Sequence, residues 1–505
     1  MIISSDIYEL IKSLSKAEKN YFRKHSSVFI REEGKRYMLL FNAIDGQKVY
    51  DELKLMKHFK GERFVKQFSV AKNYLYNRIL AAMESYHSNP SSDAHSMMNR
   101  ADFLFEKGLY RQADKMLRRG EKFAKKHELH SALIAMHYHH AFDHHVKRRE
   151  PKKAEQRIAQ AKKETELLNN YMQYSSLLAQ TMQLYNLYGK TKNKKYIHDF
   201  NKLMKHPLLK DESGALTFNG KRRFYDIHAV YNSIIENERK AYQYSQKIIS
   251  LYDSDPEKIK HNAIIYAGYI NNTLLFCHSL KKFKEIESYL EKLKMISPLM
   301  KTPYQKARLF EIHTNNYLNL YNSTGRFSIS KKILPDVLQE ITTHQKKLAP
   351  VDKLLTYGNI ANTYFGLEDY KNCIHWTNKI RNELPLNLRP DLDSEIRMLN
   401  IIAHYELGNE ELIPHLVISY YHFQKKKSSL SKSEKLLLSF LKKLPAISTE
   451  EKLIDKMKTL KKQLSLIQSH SSLLQFFDIT SWIESKIENR MFAEVVRKKT
   501  EKSFQ

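Results

Sequence analysis

Glycine and proline are scarce in this chain. The 505 residues include 13 Gly and 12 Pro, less than half of the combined share of about 12% that is usual in proteins. A fold built from β-strands needs many tight turns, and such turns depend on these two residue types. Hydrophobic residues make up 42% of the chain and aromatic residues 11%, which is enough for packed cores and excludes wholesale disorder. The composition therefore predicts an all-α protein.

Cysteine is also scarce, and long apolar runs are absent. Cys277 and Cys373 lie far apart, without the spacing of a metal site or of a secreted disulfide framework. No stretch approaches the roughly 18 apolar residues that cross a membrane. The first fifteen residues contain Asp6 and Glu9 and lack the apolar region of a signal peptide. We therefore expect a cytoplasmic protein with reduced thiols and no membrane span.

Catalytic and cofactor motifs are missing as well. The chain has no glycine-rich phosphate loop, no GxSxG elbow and no catalytic pattern around either cysteine. We expect a non-enzymatic protein without a cofactor, although an active site assembled from separate helices would leave no trace in residue spacing. His140 and His144 have the i, i+4 spacing of two metal ligands on a helix. No third ligand accompanies them, so they are weak metal candidates, and the alternative is an ordinary surface role.

Positive charge is abundant but dispersed. The chain has 85 Lys and Arg against 55 Asp and Glu, a formal net charge of +30. A nucleic-acid-binding surface usually concentrates such charge and favours arginine, whereas here lysine predominates and the excess is spread along the chain. This distribution favours a solvated basic surface, with nucleic acid as the second possibility. A basic surface also favours acidic protein partners.

A pattern of about 43 residues repeats along the chain. Residues 359–385 read as helix, tight turn and helix, with Ala361 in the first helix, Tyr370 after the turn and Cys373 on the inner side of the second. Residues 101–124 repeat the pattern. The small or apolar position of the second helix recurs every 40 to 45 residues, at Ala113, Ala154, Asp199, Ala241, Ile286, Ser330, Cys373 and Ile413.

This pattern resembles the tetratricopeptide repeat (TPR), in a divergent form. The units are longer than the family's ~34 residues, and the tryptophan and Leu-Gly pair of the family are mostly missing. The resemblance implies a right-handed superhelical solenoid of about eight helix pairs over residues 93–427, in which stacked pairs bury each other's apolar faces. Helical modules over residues 1–92 and 428–505 would flank it.

The resemblance also implies a peptide-binding groove. First helices line the concave groove in this family, and ligands meet their fifth, sixth and ninth positions. An asparagine amide can bond both backbone groups of an extended peptide. Because a one-residue error of phase turns a side chain by ~100°, the alternative is that these residues merely face solvent. The predicted site comprises Asn271, Asn315, Asn319, Asn359 and Asn362, with Phe365 as an apolar neighbour.

The two ends of the chain lie outside the repeat. We predict N-terminal helices near 5–13, 15–30, 35–44, 48–59 and 62–86, and C-terminal capping helices near 431–443, 449–468 and 471–499. Residues 48–86 have the layout of a helix-turn-helix, with Arg63, Lys66, Lys72 and Arg78 as possible nucleic-acid contacts. Two packed amphipathic helices would give the same pattern.

Together these features predict a non-enzymatic cytoplasmic scaffold that binds a peptide or protein segment in a helical-repeat groove, with acidic segments favoured. The second hypothesis is a nucleic-acid-binding regulator, whose N-terminal helices contact DNA while the solenoid senses a peptide or partner. Its layout resembles that of bacterial peptide-sensing regulators.

Overall fold

The computed structural model describes residues 5–27, 32–87, 89–146, 149–188, 194–344, 348–384, 390–425, 432–447, 449–467 and 477–501. Within these ranges the protein is all-helical and contains no strand, as the composition predicts. None of the described helices is long and apolar enough to cross a membrane.

The chain divides into two compact units. Unit 1 comprises residues 1–173 and 216–218, and unit 2 comprises residues 174–215 and 219–505. The helices that begin in unit 1 are α1 (Asp6–Ser13), α2 (Lys16–Ser27), α3 (Glu32–Gly46), α4 (Glu52–His58), α5 (Phe68–Tyr86), α6 (Pro90–Glu106), α7 (Tyr110–Lys126), α8 (His130–His139) and α9 (Pro151–Tyr188).

Unit 1 contains two separate apolar clusters. One gathers α1 to α5 around buried residues such as Phe41 and Leu75, and the other joins α6 to α8 around residues such as Ala101 and Leu117. Helix α2 begins with the capping box that the sequence predicts, because the Ser15 N–H donates to Glu18 Oε2 at 2.5 Å and the Glu18 N–H donates to Ser15 Oγ at 3.3 Å.

Two segments that begin in unit 1 differ from the sequence prediction. Residues 62–86 are not one helix: a short 3₁₀ segment (Arg63–Gln67) precedes α5. Helix α9 runs uninterrupted for 38 residues, where a regular repeat would place the second helix of one unit and the first helix of the next. It contains no glycine and no internal proline, so nothing in its sequence stops the helix. A π-helical segment (His140–Val146) follows α8.

Apart from Phe218, helices α10 to α25 lie in unit 2. They are α10 (Lys194–Met204), α11 (Phe218–Ile234), α12 (Glu238–Asp253), α13 (Pro256–His261), α14 (Ala263–Ser279), α15 (Phe283–Met295), α16 (Pro303–Ser323), α17 (Phe327–His344), α18 (Pro350–Gly366), α19 (Tyr370–Glu383), α20 (Pro390–Glu406), α21 (Ile413–Lys425), α22 (Lys432–Lys443), α23 (Glu450–Ser465), α24 (Ile479–Glu488) and α25 (Phe492–Glu501).

One turn geometry recurs along the chain with the predicted spacing. In each copy a residue with φ between 55° and 77° ends a helix, and the next N–H donates to the carbonyl five residues earlier at 2.8–3.0 Å. This is the Schellman motif, which satisfies the free carbonyls at a helix end. The left-handed residues lie five positions before seven of the eight predicted repeat positions: Gly108, Arg149, Glu236, Lys281, Gly325, Glu368 and Gly408.

In unit 2, the first helices of successive pairs lie side by side. Helix α14 contacts α16, α16 contacts α18, and α18 contacts α20, while α15, α17 and α19 each contact the first helix of their own pair. The inner positions predicted for α19 are buried, with Cys373 and Thr377 at 0% exposure. The repeat therefore predicts correctly how α18 and α19 pack.

The C-terminal helices contact two different parts of unit 2. Helix α22 contacts α21, but α25 reaches back to the turn between α16 and α17, where Arg497 Nη2 donates to the Gly325 carbonyl at 3.4 Å. The single helix predicted for 471–499 is wrong. Two helices, α24 and α25, are separated by Asn489, which adopts the left-handed conformation (φ 49°), and residues 468–476 lie outside the described part.

Candidate functional site

The asparagine row found in the sequence joins three neighbouring first helices. Asn316 of α16 donates through Nδ2 to Asn271 Oδ1 of α14 at 2.8 Å. Asn359 of α18 donates through Nδ2 to Asn315 Oδ1 of α16 at 3.2 Å. Asn316 lies 45 residues after Asn271, and Asn359 lies 44 residues after Asn315, so one amide pair crosses each of these two helix interfaces.

These contacts engage much of the row inside the protein. The Asn315 amide also donates to Glu311 Oε1 at 3.0 Å, and Asn359 is only 6% exposed. A side-chain amide has two donor hydrogens and one acceptor oxygen. Asn315 and Asn359 therefore hold helices together, which differs from the predicted role of binding a peptide backbone.

Three asparagines and one leucine of α14 and α16 make up a surface that we call the α14–α16 face. Its residues are Asn271, Asn272, Leu275 and Asn319. Asn271 and Asn319 are half-buried and Asn272 is exposed. Among the described residues, no hydrogen bond uses the Asn319 amide or the Asn271 nitrogen. Leu275 is 58% exposed. This face combines unused amide groups with an exposed apolar side chain.

A buried charged group supports the row from one side. Arg308 Nη1 lies 2.5 Å from Glu311 Oε2 and 2.9 Å from Asp352 Oδ1, and so links α16 to α18. Burial raises the pKa of the Glu311 carboxyl to about 7, with Asp352 acting in the same direction and Arg308 and Asn315 against it. The carboxyl that accepts from Asn315 therefore takes up a proton more readily than an exposed glutamate does.

The structure places Phe365 and Asn362 differently from the prediction. Phe365 is 0% exposed and packs against Phe477 and Phe492, with ring centroids 4.7 and 5.3 Å apart. It belongs to the core because helices more than a hundred residues later in the chain cover it. Asn362 is also buried, at 8% exposure. Neither side chain is available to a ligand in this arrangement.

Sequence reasoning missed Asn322, which links three segments of unit 2. Its Nδ2 donates to the Asn359 carbonyl at 3.0 Å, and its Oδ1 accepts from Ser330 Oγ and Thr363 Oγ1, both at 3.0 Å. The only signal in the sequence was its position three residues before Gly325, at the end of a first helix.

The four predicted nucleic-acid contacts do not form one cationic surface. Arg63 and Lys66 are exposed on the 3₁₀ segment. Lys72 is 8% exposed, and its Nζ lies 2.6 Å from Glu52 Oε2. Arg78 is half-buried and has an interaction of its own. Lys72 therefore has a structural role, because an ion pair inside the module already neutralises its charge.

The histidine cluster of unit 1 forms an internal charged network. Glu121 Oε1 lies 2.7 Å from His140 Nδ1, and Glu121 Oε2 lies 2.9 Å from Arg157 Nη1. Burial raises the pKa of Glu121, but the His140 hydrogen bond and the Arg157 charge outweigh it and lower this pKa to about 2. No group of three or more His, Cys, Asp or Glu in the described part is arranged to hold a metal ion. The side chain of His144 lies outside that part.

No protein-family model matches this chain, and no curated protein matches it significantly.

Proposed function

We propose that this protein is a non-enzymatic scaffold that binds an extended peptide or protein segment along the first helices of a divergent, TPR-like solenoid. The solenoid would comprise about eight helix pairs over residues 93–427, wound as a right-handed superhelix. The recurrence of the Schellman turn with the predicted spacing supports this architecture.

The observation that carries the binding proposal is the α14–α16 face. The Asn319 amide and the Asn271 nitrogen, which no described hydrogen bond uses, can bond the backbone of an extended chain, which pairs donors with acceptors regardless of side-chain identity. The exposed Leu275 gives an apolar side chain of the partner a place to pack. Asn315 and Asn359, which link α16 to α18, would support this face from behind.

Charge and thiol environment support the remaining parts of the proposal. The net charge of +30 would favour acidic segments and increase the rate of encounter. Both cysteines are free and buried, as in proteins of a reducing compartment such as the cytoplasm. Burial raises the pKa of the Cys277 thiol to about 12, so it is a poor nucleophile at neutral pH.

A matched set of variants tests the proposal. Leu275→Lys combined with Asn319→Ala changes the face without touching the core, and Met295→Lys changes a second exposed apolar residue, 77% exposed, on α15. We expect the double variant to capture native partners at least about tenfold less well, with unchanged helical content and melting. Met295→Lys should capture as wild type does. Equal capture by the double variant, measured by quantitative mass spectrometry after nuclease treatment at two salt concentrations, would refute the α14–α16 face.

A nucleic-acid role has weaker support. Among the basic residues of α5, Lys72 is paired and Arg78 is half-buried, whereas phosphate contacts require exposed Lys and Arg. The same capture experiment distinguishes the two hypotheses. If every partner disappears on nuclease treatment, Arg63 and Lys66 become the first residues to substitute.

A further inference from the structure

A cavity of about 520 Å³ lies in unit 2, where the end of α15 and the following 3₁₀ turn meet the first half of α16 and the end of α17. Its size falls within the range of small-molecule sites. Its apolar lining consists of Leu293, Pro298, Met300, Leu309 and Phe310. Leu293 and Met300 are almost fully buried. The cavity is therefore apolar over most of its lining and is separate from the α14–α16 face.

The polar lining of the cavity is mostly basic. Lys294 and Lys306 contribute ammonium groups, from α15 and α16 respectively. Lys306 is exposed, and no ion pair involves it among the described residues. Lys294 Nζ lies 2.7 Å from Glu291 Oε1, but both side chains are more than half exposed, so solvent screens that pair. Two cations thus border an apolar space.

The acidic residue of the lining is already engaged. Glu340 Oε2 lies 3.0 Å from His344 Nε2, and the His344 ring packs near Phe310, with ring centroids 5.8 Å apart. Because both partners come from α17, one turn apart, this pair forms within the helix itself. Its carboxylate is therefore less available to repel an anion or to attract a cation.

His313 adds an unsatisfied hydrogen-bonding group. Its ring lines the cavity, and its Nε2 is enclosed without a hydrogen-bond partner. Burial, and secondarily the charge of Lys294, lowers the pKa of His313 to about 4, so the ring is neutral at pH 7. An enclosed polar atom without a partner costs free energy. A ligand oxygen next to this ring would recover part of that cost.

We propose that this cavity binds a small apolar molecule that carries one carboxylate. The hydrocarbon part fills the space between Leu293, Met300 and Phe310, and the carboxylate lies between the ammonium groups of Lys294 and Lys306. A purely apolar ligand would leave the Lys306 ammonium group without a counter-ion, and a cationic ligand would be repelled by both lysines. The site uses none of the residues of the α14–α16 face, so either proposal can fail alone.

The first experiment compares three ligands of equal chain length on the full chain. Binding of 8-anilinonaphthalene-1-sulfonate, an apolar anion, is followed by its fluorescence, and it is then displaced by decanoate, decanol or decylamine. We expect decanoate to displace the probe about tenfold more effectively than decanol, and decylamine to be the weakest. Equal displacement by decanol and decanoate, or no displacement by decanoate, would overturn the proposal.

The peptide carboxyl terminus presents the same chemistry, so N-acetyl-glycyl-leucine with a free carboxylate is tested beside decanoate. Tighter binding of decanoate assigns the cavity to a free carboxylic acid. Tighter binding of the dipeptide assigns it to a chain terminus. Both results keep the carboxylate in the assigned place.

Variants locate the binding in this cavity. Lys306→Gln should weaken decanoate about tenfold, whereas Lys284→Gln, an exposed lysine of α15 outside the cavity, should change it by less than about twofold. Ser297→Trp adds a large ring at the exposed edge of the cavity and should abolish binding without changing the melting temperature. Unchanged affinity in both Lys306→Gln and Ser297→Trp would place the bound probe elsewhere and refute the site.

Discussion

The end of α6 in unit 1 and the end of α18 in unit 2 are built from the same residues. Ala101 corresponds to Ala361, Phe105 to Phe365 and Tyr110 to Tyr370, each 260 residues apart. In both copies the phenylalanine meets the tyrosine edge to face, with ring centroids 5.1 Å apart in unit 1 and 5.3 Å apart in unit 2. Both alanines are fully buried. The local packing of the repeat is therefore preserved.

The surroundings of the two helix ends differ. Phe365 is enclosed by Phe477 and Phe492, whereas Phe105 is half-buried. Eleven of the 17 residues of α18 are buried, against two of 17 in α6, because α18 lies between α16 and α20 and is also covered by the C-terminal helices. Equivalent residues of a repeat can thus be solvent-facing in one copy and part of the core in another.

Truncation of the two phenylalanines should give the largest contrast. We expect Phe365→Ala to lower the free energy of unfolding of unit 2 by about 3–5 kcal/mol, the usual cost of removing a core phenylalanine. Phe105→Ala should cost about 1 kcal/mol in unit 1, because a half-buried ring removes less apolar area from water.

Tryptophan fluorescence during urea unfolding separates the two effects. Both tryptophans of the chain, Trp376 and Trp482, lie in unit 2 and are buried. Phe365→Ala should therefore shift the fluorescence transition, and Phe105→Ala should leave it in place. Equal shifts of this transition in the two variants would contradict the expected contrast.

Two glycines of the same turn position sharpen the comparison. Gly325 and Gly408 both have left-handed backbones, with φ of 69° and 77°. A Cβ on Gly408 would meet no atom within 4 Å beyond its chain neighbours. A Cβ on Gly325 would lie 2.5 Å from the Ala493 carbonyl oxygen and 2.7 Å from the Arg497 backbone nitrogen. Gly408→Ala should cost about 1 kcal/mol for backbone strain alone. Gly325→Ala should cost about 3 kcal/mol, because α25 must also move.

Hydrogen exchange of the α25 amides is the measurement for this pair. Gly325→Ala should speed exchange along Phe492–Glu501, and Gly408→Ala should leave it unchanged. If Gly325→Ala changes only the global stability and not the protection of α25, the docking of α25 on this turn is weaker than its contacts imply.

The repeat period predicts local structure well because each turn is fixed by nearby residues. The left-handed position, the following aromatic residue and the buried small residue recur within a few positions of one another, so a single sequence reveals them. The long helix α9 was not predicted, because the repeat implied a break within it. No glycine or proline in this segment enforces such a break. Prediction failed most clearly at Phe365 and Lys72, whose partners Phe492 and Glu52 lie far away in the chain.

The asparagine row shows where side-chain prediction stops. Sequence spacing placed Asn315 and Asn359 on successive first helices as groove residues, but it carries no information on whether their amides face a ligand or each other. The direction of each amide depends on how α16 is rotated about its axis relative to α18. A shift of one residue in helix phase turns a side chain by ~100° around that axis. Only the packed helices decide this direction, and they pair the two amides with each other at 3.2 Å.

The smallest expected effect belongs to Asn359 and its counterpart Asn99, which is exposed on α6. Asn359→Ala removes the hydrogen bond to Asn315 Oδ1 and leaves this oxygen without its donor. We therefore expect the free energy of unfolding of unit 2 to fall by about 1 kcal/mol. Asn99→Ala removes no described hydrogen bond and should change stability by less than about 0.5 kcal/mol.

Adding Asn315→Ala to Asn359→Ala should cost less than the sum of the two single changes, because the shared bond is lost only once. Strict additivity in this double-mutant cycle would mean that the two amides do not interact in solution, and Asn315 would then be free to contact a bound peptide as the sequence first suggested.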